Sequence, residues 1–265
     1  MHEEFEEQSP PHPEFLQSQV CFGNVPPDWL TQNPKLEWLQ LISVGFGEYL
    51  HLDWKQPSRK IQMTNLAGFF TEPVAQSMLA GVLALYRGID HLVILKDRRN
   101  WVGDPVREEL KTLDQATVLL YGFGSIHRRF AELIAPFGCR VLTFNSRTTL
   151  GELDRHLTAA DVVVSAVPDT PETRGVFSGE RLKRFKQGSL FVNFGRSSVV
   201  DENALIEGLK LKKLGGAVID VTTEEPLPKE HGLWDCPNTL ITQHSGATCS
   251  IFFCSHGGTE TQRKV

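Results

Sequence analysis

Apolar positions fall into two textures along the chain. From Ala116 onward six short apolar runs recur: TVLLYG, RVLTF, VVVSAV, SLFVNF, AVIDV and TLITQ. Helix-like segments separate or follow them at residues 126–137, 150–157, 179–186 and 201–214. Thr149 with Glu152 forms a capping-box signature, Asp201 is an expected N-cap, and Gly215–Gly216 reads as a stop after the last of these helices. Runs without apolar/polar alternation are what strands need when both sheet faces are covered. Strands alternating with helices join through right-handed crossovers into a parallel sheet. The expected fold class is therefore α/β, with a doubly wound parallel sheet.

Before Ala116 the pattern is less regular. A short strand is expected near residues 19–23, a helix over 27–36 and an apolar stretch at 38–44. Residues 71–89, TEPVAQSMLAGVLALYRGI, are apolar nearly all round and predict one long buried helix. Glu72 and Pro73 fall in its first turn, where a negative charge and a missing N–H are both tolerated. Residues 97–112 are charged and read as a surface connection. No repeat of solenoid length is visible.

Composition narrows the function classes. The 265 residues are 40% apolar and 22% charged, which suits one or two packed domains and excludes wholesale disorder. The balance of 27 basic against 32 acidic residues, a net charge of −5, argues against nucleic acid or an anionic membrane as partner. No apolar run reaches the roughly 18 residues of a membrane span. The lead MHEEFEEQSPPHPEF lacks the basic start and apolar centre of a signal peptide, so a cytoplasmic protein is expected. Cys21, Cys139, Cys236, Cys249 and Cys254 are scattered and odd in number, which speaks against a disulfide framework. Cys249 and Cys254 with His244 and His256 fit no standard zinc module, and no metal is expected.

Chemistry concentrates at the ends of the apolar runs. Gly122 and Gly124, in YGFGSIHRRF, stand where a strand turns into a helix, the place of a dinucleotide fingerprint. There Gly122 allows the tight turn and Gly124 the approach of a pyrophosphate. Ser125 and Ile126 open the helix, whose free N–H groups favour anions. His127 occupies the position of the usual third glycine. The blander alternative is a turn glycine pair with no ligand. About 20 residues on, an NAD site usually offers an acid to the ribose. Here Asn145, Ser146 and Arg147 stand instead. Arg147 can pair with a 2′-phosphate and Ser146 can add a hydrogen bond, so NADP(H) is expected over NAD(H), with NAD(H) still possible. A solvated loop arginine is the alternative.

Arg196, Glu225 and His244 follow the last three apolar runs. Ligands of open α/β sheets bind outside the carboxyl ends of the strands, so all three belong to that rim. An arginine fork to hold a carboxylate and polarise a carbonyl, a histidine to give a proton, and a carboxylate to orient it suit reduction of a 2-keto acid. Singly, each could be a surface charge, a Glu-Pro turn or a strand-end histidine.

In VNFGRSSVVDENALIEGL, GGAVIDVTTEEPLP and LWDCPNTLITQH the chain resembles the D-isomer-specific 2-hydroxyacid dehydrogenases, over residues 19–244. The resemblance implies a Rossmann-type nucleotide domain beside a smaller α/β substrate domain. It implies Arg196 as substrate-binding arginine, Glu225 as carboxylate partner and His244 as acid/base. Asp220 would hold the nicotinamide carboxamide, Thr170 would lie near the cofactor, and the backbone N–H groups of Val44 and Gly45, in SVGFG, would bind the substrate carboxylate. It further implies a small 2-keto acid substrate, a homodimer built mainly on the nucleotide domain, and a cleft closing by a hinge. The corresponding division is 1–67 as a partial substrate-binding domain, 68–248 as the dinucleotide-binding domain with its hinge helix, and 249–265 as an atypical tail.

The sequence also departs from the family. His127 replaces a glycine, Gln76 a hinge-helix glutamate, Ser197 a glycine after the arginine, and Gln243 a proline before the histidine. The last change is expected to matter little. A strand and helix ahead of Gln19 and a final helix after residue 265 have no counterpart, so a less stable substrate domain is expected. A catalytically impaired nucleotide-binding relative, with a regulatory or partner-binding role, is the alternative function.

Overall fold

The structure is a computed structural model and describes residues 10–53, 61–108, 110–145 and 147–247. Ser146, and the tail carrying Cys249, Cys254 and His256, lie outside the described residues. The chain divides into two compact units, Met1–Phe69 and Phe70–Val265.

In the first unit β1 (Val20–Phe22), β2 (Trp38–Gln40) and β3 (Gln62–Thr64) form a parallel three-stranded sheet in the order β1-β2-β3. Helix α1 (Pro27–Gln32) lies between β1 and β2 in the chain and contributes buried Trp29 and Leu30. These pack with Phe15, Leu39, Leu41 and Tyr49 into a small core. The helix is shorter than the expected 27–36. Pro34 disfavours helical backbone in the residue before it, and Asn33 is extended. The buried Asn33 amide donates instead to the Phe15 and Ser18 carbonyls, at 2.5 and 3.0 Å.

The second unit opens with α2 (Thr71–Tyr86), α3 (Ile89–Asp97) and α4 (Asp104–Arg107). The single helix expected over 71–89 is therefore two. The break lies at Gly88, whose φ of 59° is the left-handed conformation that ends helices, and the axes turn by 67°. Gln76 of α2 donates to Glu72, which pairs with Arg129 at 2.6 Å. The expected surface connection over 97–112 carries the single exposed turn α4. No single helix among the described residues is long and apolar enough to cross a membrane.

From there strands and helices alternate: β4 (Thr117–Tyr121), α5 (Ser125–Ile134), β5 (Arg140–Phe144), α6 (Leu150–Ala159), β6 (Val162–Ser165), α7 (Gly179–Leu182), β7 (Ser189–Asn193), α8 (Glu202–Lys210), β8 (Leu214–Ile219) and β9 (Thr239–Ile241). All pairings in this sheet are parallel, in the order β5-β4-β6-β7-β8-β9. Alternate residues serve opposite faces, as the pleat dictates. Val118, Leu120, Val162, Val164 and Val192 pack with Val74, Met78, Phe130 and Ile134 of α2 and α5. Leu119, Val163, Phe191 and Ala217 pack with Leu153, Leu157, Leu205 and Leu209 of α6 and α8. Covering both faces is why these strands read as unbroken apolar runs.

Local signals place the helices. Thr149 and Glu152 close a full capping box, and Asp201 accepts the Ala204 N–H at 3.1 Å. The expected stop at Gly215–Gly216 is overturned, because both glycines lie inside β8 and α8 ends at Lys210. They are needed there for close approach: a Cβ on Gly215 would stand 2.4 Å from the Gly188 carbonyl oxygen.

Candidate active site

The chain leaves β4 for β5 on one side of the sheet and later crosses to β6 on the other side of β4. The strand order thus reverses at the carboxyl ends of β4 and β6, where ligands of such sheets bind. Gly122 turns the chain there with φ 95°, and a Cβ on it would come within 2.7 Å of Val167 Cγ1. Gly124 has no neighbouring atom within 4 Å of where its Cβ would stand. It is the N-cap of α5 and brings no side chain to cap the helix, so first-turn N–H groups of Ser125 and Ile126 face an open approach. A glycine turn, open space and an uncapped helix N-terminus fit a pyrophosphate. The fingerprint residues Gly122, Gly124, Ser125 and Ile126 are thereby brought together.

His127 lies underneath this turn. Only 1% of it is exposed, and its ring approaches the Gly122 Cβ position to 3.4 Å through Nδ1. Nε2 makes no hydrogen bond to any described residue. Burial pushes the imidazole down to about 4, opposed in part by the Val164 backbone. The ring is thus a neutral packing group buried against the Gly122 turn.

At the end of β5, Asn145 and Arg147 are exposed. Asn145 Oδ1 accepts the Arg147 N–H at 2.9 Å and the Asn145 N–H donates to Thr148 Oγ1 at 3.1 Å. This local turn leaves the Arg147 guanidinium outside any ion pair among the described residues. At the end of β6, Thr170 donates its N–H to Thr173 Oγ1. Beside it Asp169 takes Arg174 in a two-pronged pair at 2.7 and 2.8 Å and accepts from Ser198 Oγ at 2.8 Å. The Arg174 guanidinium, burial notwithstanding, holds the Asp169 carboxyl down to about 2, with Ser198 and Arg196 adding.

Arg196 follows β7 and is exposed. Asn193, buried at the strand end, donates to the Arg196 carbonyl at 3.0 Å and accepts the Gly195 N–H at 3.1 Å, fixing the backbone that carries the guanidinium. Ser197 opens a short helical turn, Ser197–Val199, with no left-handed backbone, so glycine is not required there.

His244 and Glu225 meet. Nδ1 of the imidazole is 2.7 Å from Glu225 Oε2. The other carboxylate oxygen accepts the Thr222 N–H at 3.0 Å. His244 belongs to a turn held by Asp220 at the end of β8. The Asp220 carbonyl accepts the His244 N–H at 2.7 Å, and Oδ1 accepts from Thr242 Oγ1 and from the N–H groups of Ser245 and Gly246. Oδ2 takes none of these donors. Gln243 and His244 both have left-handed backbone, φ 54° and 52°. Proline is locked near −65° and cannot adopt that conformation, so Gln243 in place of proline does alter the turn, contrary to the sequence expectation. Conformations of this kind persist where surrounding bonds over-determine them, and Asp220 supplies those bonds.

In the first unit, Ser43 Oγ donates to the Gly45 carbonyl at 2.7 Å, and Asn65 donates to the Val44 carbonyl at 2.8 Å. With their carbonyls held, Val44 and Gly45 keep backbone N–H groups that bond to no other described residue.

The chain is similar to known proteins in sequence and in fold. Residues 79–246 match the model described as D-isomer specific 2-hydroxyacid dehydrogenase, NAD binding domain. A glycerate dehydrogenase of Methylorubrum extorquens is 34% identical over 82% of this chain and 71% of its own length. A glyoxylate reductase of Aeropyrum pernix is 30% identical over 83% of this chain and 70% of its own length. The crystal structure of a D-isomer specific 2-hydroxyacid dehydrogenase from Xanthobacter autotrophicus, in complex with NADPH and MES, superposes with a TM-score of 0.74 at 26% identity. That superposition covers 88% of this chain and 76% of the other. Against four such curated relatives the chain spans 66 to 73% of their length.

Proposed function

The chain belongs to the D-isomer-specific 2-hydroxyacid dehydrogenases, a family of nicotinamide-dependent oxidoreductases, and from that premise we propose that it interconverts a small 2-keto acid and its D-2-hydroxy acid. The observation that carries this reading is the 2.7 Å contact of His244 with Glu225 at the carboxyl end of the sheet. A carboxylate on Nδ1 makes that nitrogen the donor and leaves Nε2 as the atom that gives the proton to, or takes it from, the substrate oxygen. Glu225 fixes the orientation of the ring through its contact with Nδ1. Arg196, on a backbone fixed by Asn193, holds the substrate carboxylate and polarises the carbonyl. Gly122, Gly124, Ser125 and Ile126 would hold the cofactor pyrophosphate, with Thr170 nearby, and Asp220 would hold the carboxamide. The bound nicotinamide would supply or accept the hydride. Within the Met1–Phe69 unit, the substrate-domain candidate, the backbone N–H groups of Val44 and Gly45, which bond to no other described residue, would be carboxylate-binding groups.

NADP(H) is the preferred cofactor in this reading, because Arg147 is exposed and no acid stands at Asn145 or Arg147 to repel a 2′-phosphate. The reading includes a cytoplasmic homodimer. It is supported by the apolar side chains that α3 and the segment after it leave exposed.

Oxidation of NADPH and of NADH, each with glyoxylate and hydroxypyruvate, tests the proposal. NADPH should be used more efficiently. Replacing His244 with Asn should lower kcat by roughly 10²- to 10⁴-fold, the usual contribution of general acid/base catalysis, while cofactor affinity stays unchanged. Turnover that survives the substitution would remove His244 from the chemistry.

A further inference from the structure

The loop that carries Glu225 is closed by a second pair of side chains. Glu202 is the first residue of α8, and its carboxylate is mostly buried. Oε2 accepts the Thr223 N–H at 3.1 Å. Oε1 faces Nε2 of His231 at 3.2 Å. Nδ1 of that histidine accepts the Leu233 N–H at 3.3 Å, so the ring hydrogen is on Nε2, the nitrogen that faces the Glu202 carboxylate. One carboxylate thus holds both ends of the segment between Thr223 and His231, and Glu225 lies inside it. The connection to the site is short. Thr222, the neighbour of Thr223, gives its N–H to Glu225 Oε1 and its hydroxyl to the Glu224 carbonyl. With Oε1 so held, Oε2 is left for His244.

From this chain of contacts we infer that Glu202 and His231 are positioning residues, a clamp that fixes the Thr222–Glu225 turn and thereby the aim of Glu225 at His244. The inference rests on the role proposed above for Glu225. Its physical basis is independent of it. A segment pinned at both ends has few conformations to lose when its carboxylate must meet a partner, and charge-assisted bonds are the stronger kind available for pinning. In the sequence Glu202 passes for an ordinary first-turn helix acid and His231 for a loop histidine. Only the fold brings them together.

The test compares the whole chain with its Glu202→Ala and Glu202→Gln variants by two readouts. The first is hydrogen exchange of the Thr222 and Thr223 amides, which needs neither substrate nor cofactor. Loss of a hydrogen bond to a charged group should raise local opening by about tenfold or more in Glu202→Ala. Gln keeps an acceptor for Thr223 and should restore most of the protection. The second is the split of kinetic constants. Misplacement of a catalytic partner should lower kcat by about ten- to a hundredfold while the NADPH dissociation constant stays within about twofold. Should Glu202→Ala fail to fold, His231→Gln removes the other half of the clamp and is read the same way. Unchanged exchange at Thr222 and Thr223 in a folded variant overturns the clamp. Faster exchange with unchanged kcat overturns its link to the chemistry. Absence of turnover in the unsubstituted protein would defeat the proposed function instead, and the exchange measurement would still decide the clamp.

Discussion

His127 shows how one side chain changes the behaviour of a common turn. A buried imidazole with an unbonded nitrogen is tolerated only while neutral, because burying its charge would cost far more than burying the ring. Its affinity for protons therefore falls from the ordinary 6.5 to about 4. Between these values the unfolded chain binds a proton that the folded chain refuses, so stability rises with pH across that window. The contribution is full above 6.5 and is lost as pH falls towards 4, a loss of about 3 kcal/mol at 1.36 kcal/mol per unit. Urea denaturation at pH 7 and pH 4.5 should show a larger loss for the unsubstituted protein than for His127→Leu, which keeps an apolar group in the space. Equal losses would mean that the ring finds a proton acceptor or water on opening. The sequence marked His127 as a departure, but its consequence depends on burial beneath Gly122, which only the fold supplies. The same holds for Gln243, whose left-handed backbone no pattern of residue types announces.

Among the elements, legibility followed burial. β4, β6, β7 and β8 were readable because helices cover both faces, so apolar residues dominate each strand without alternation. The capping box at Thr149 and the cap at Asp201 were readable because each is a local bond between near neighbours. Elements set by distant contacts were not. The helix over 71–89 looked continuous because apolar residues run through Gly88 without pause. β3, three residues of mixed polarity in a small sheet, gave no periodic signal. Gly215 and Gly216 looked like a helix stop, since glycine after a helix usually is one, yet close approach to Gly188 is what demands a glycine at 215. Gly215→Ala would place a Cβ 2.4 Å from backbone oxygen, an atom with no rotamer to escape into. Overpacking of this kind costs about 1 to 3 kcal/mol, and the variant's urea midpoint should fall accordingly. Stability equal to that of the unsubstituted protein would show that β8 can move away from the Gly188 turn.

At the scale of the whole molecule, the pairing of Glu225 with His244 was anticipated from one rule, that functional groups gather at the carboxyl ends of parallel strands. The residues holding that pair, Asp220 on one side and Glu202 with His231 on the other, could not be, since their spacing in the chain carries no period. Assembly is likewise a property that no single element reveals. Ile89, Leu92, Val93, Ile94, Trp101 and Val102 are all exposed, and Trp101 is 92% accessible. Exposed apolar patches mark association surfaces in soluble proteins, and aromatic residues are enriched among those that dominate binding energy. Covering this segment with a second copy of the chain is the basis for the proposed homodimer. Two-fold assembly would place the same segment on both sides of the interface, so one substitution acts twice. Sedimentation equilibrium should therefore give twice the 29.7 kDa chain mass for the unsubstituted protein. The double substitution Val93→Asp with Trp101→Asp buries two unpaired charges per chain in that interface, a cost of several kcal/mol for each, and should yield the single-chain mass at micromolar concentration. A sharp thermal transition retained by the variant would show that the loss is of assembly, whereas an unsubstituted protein that sediments as a single chain at every concentration would end the homodimer proposal.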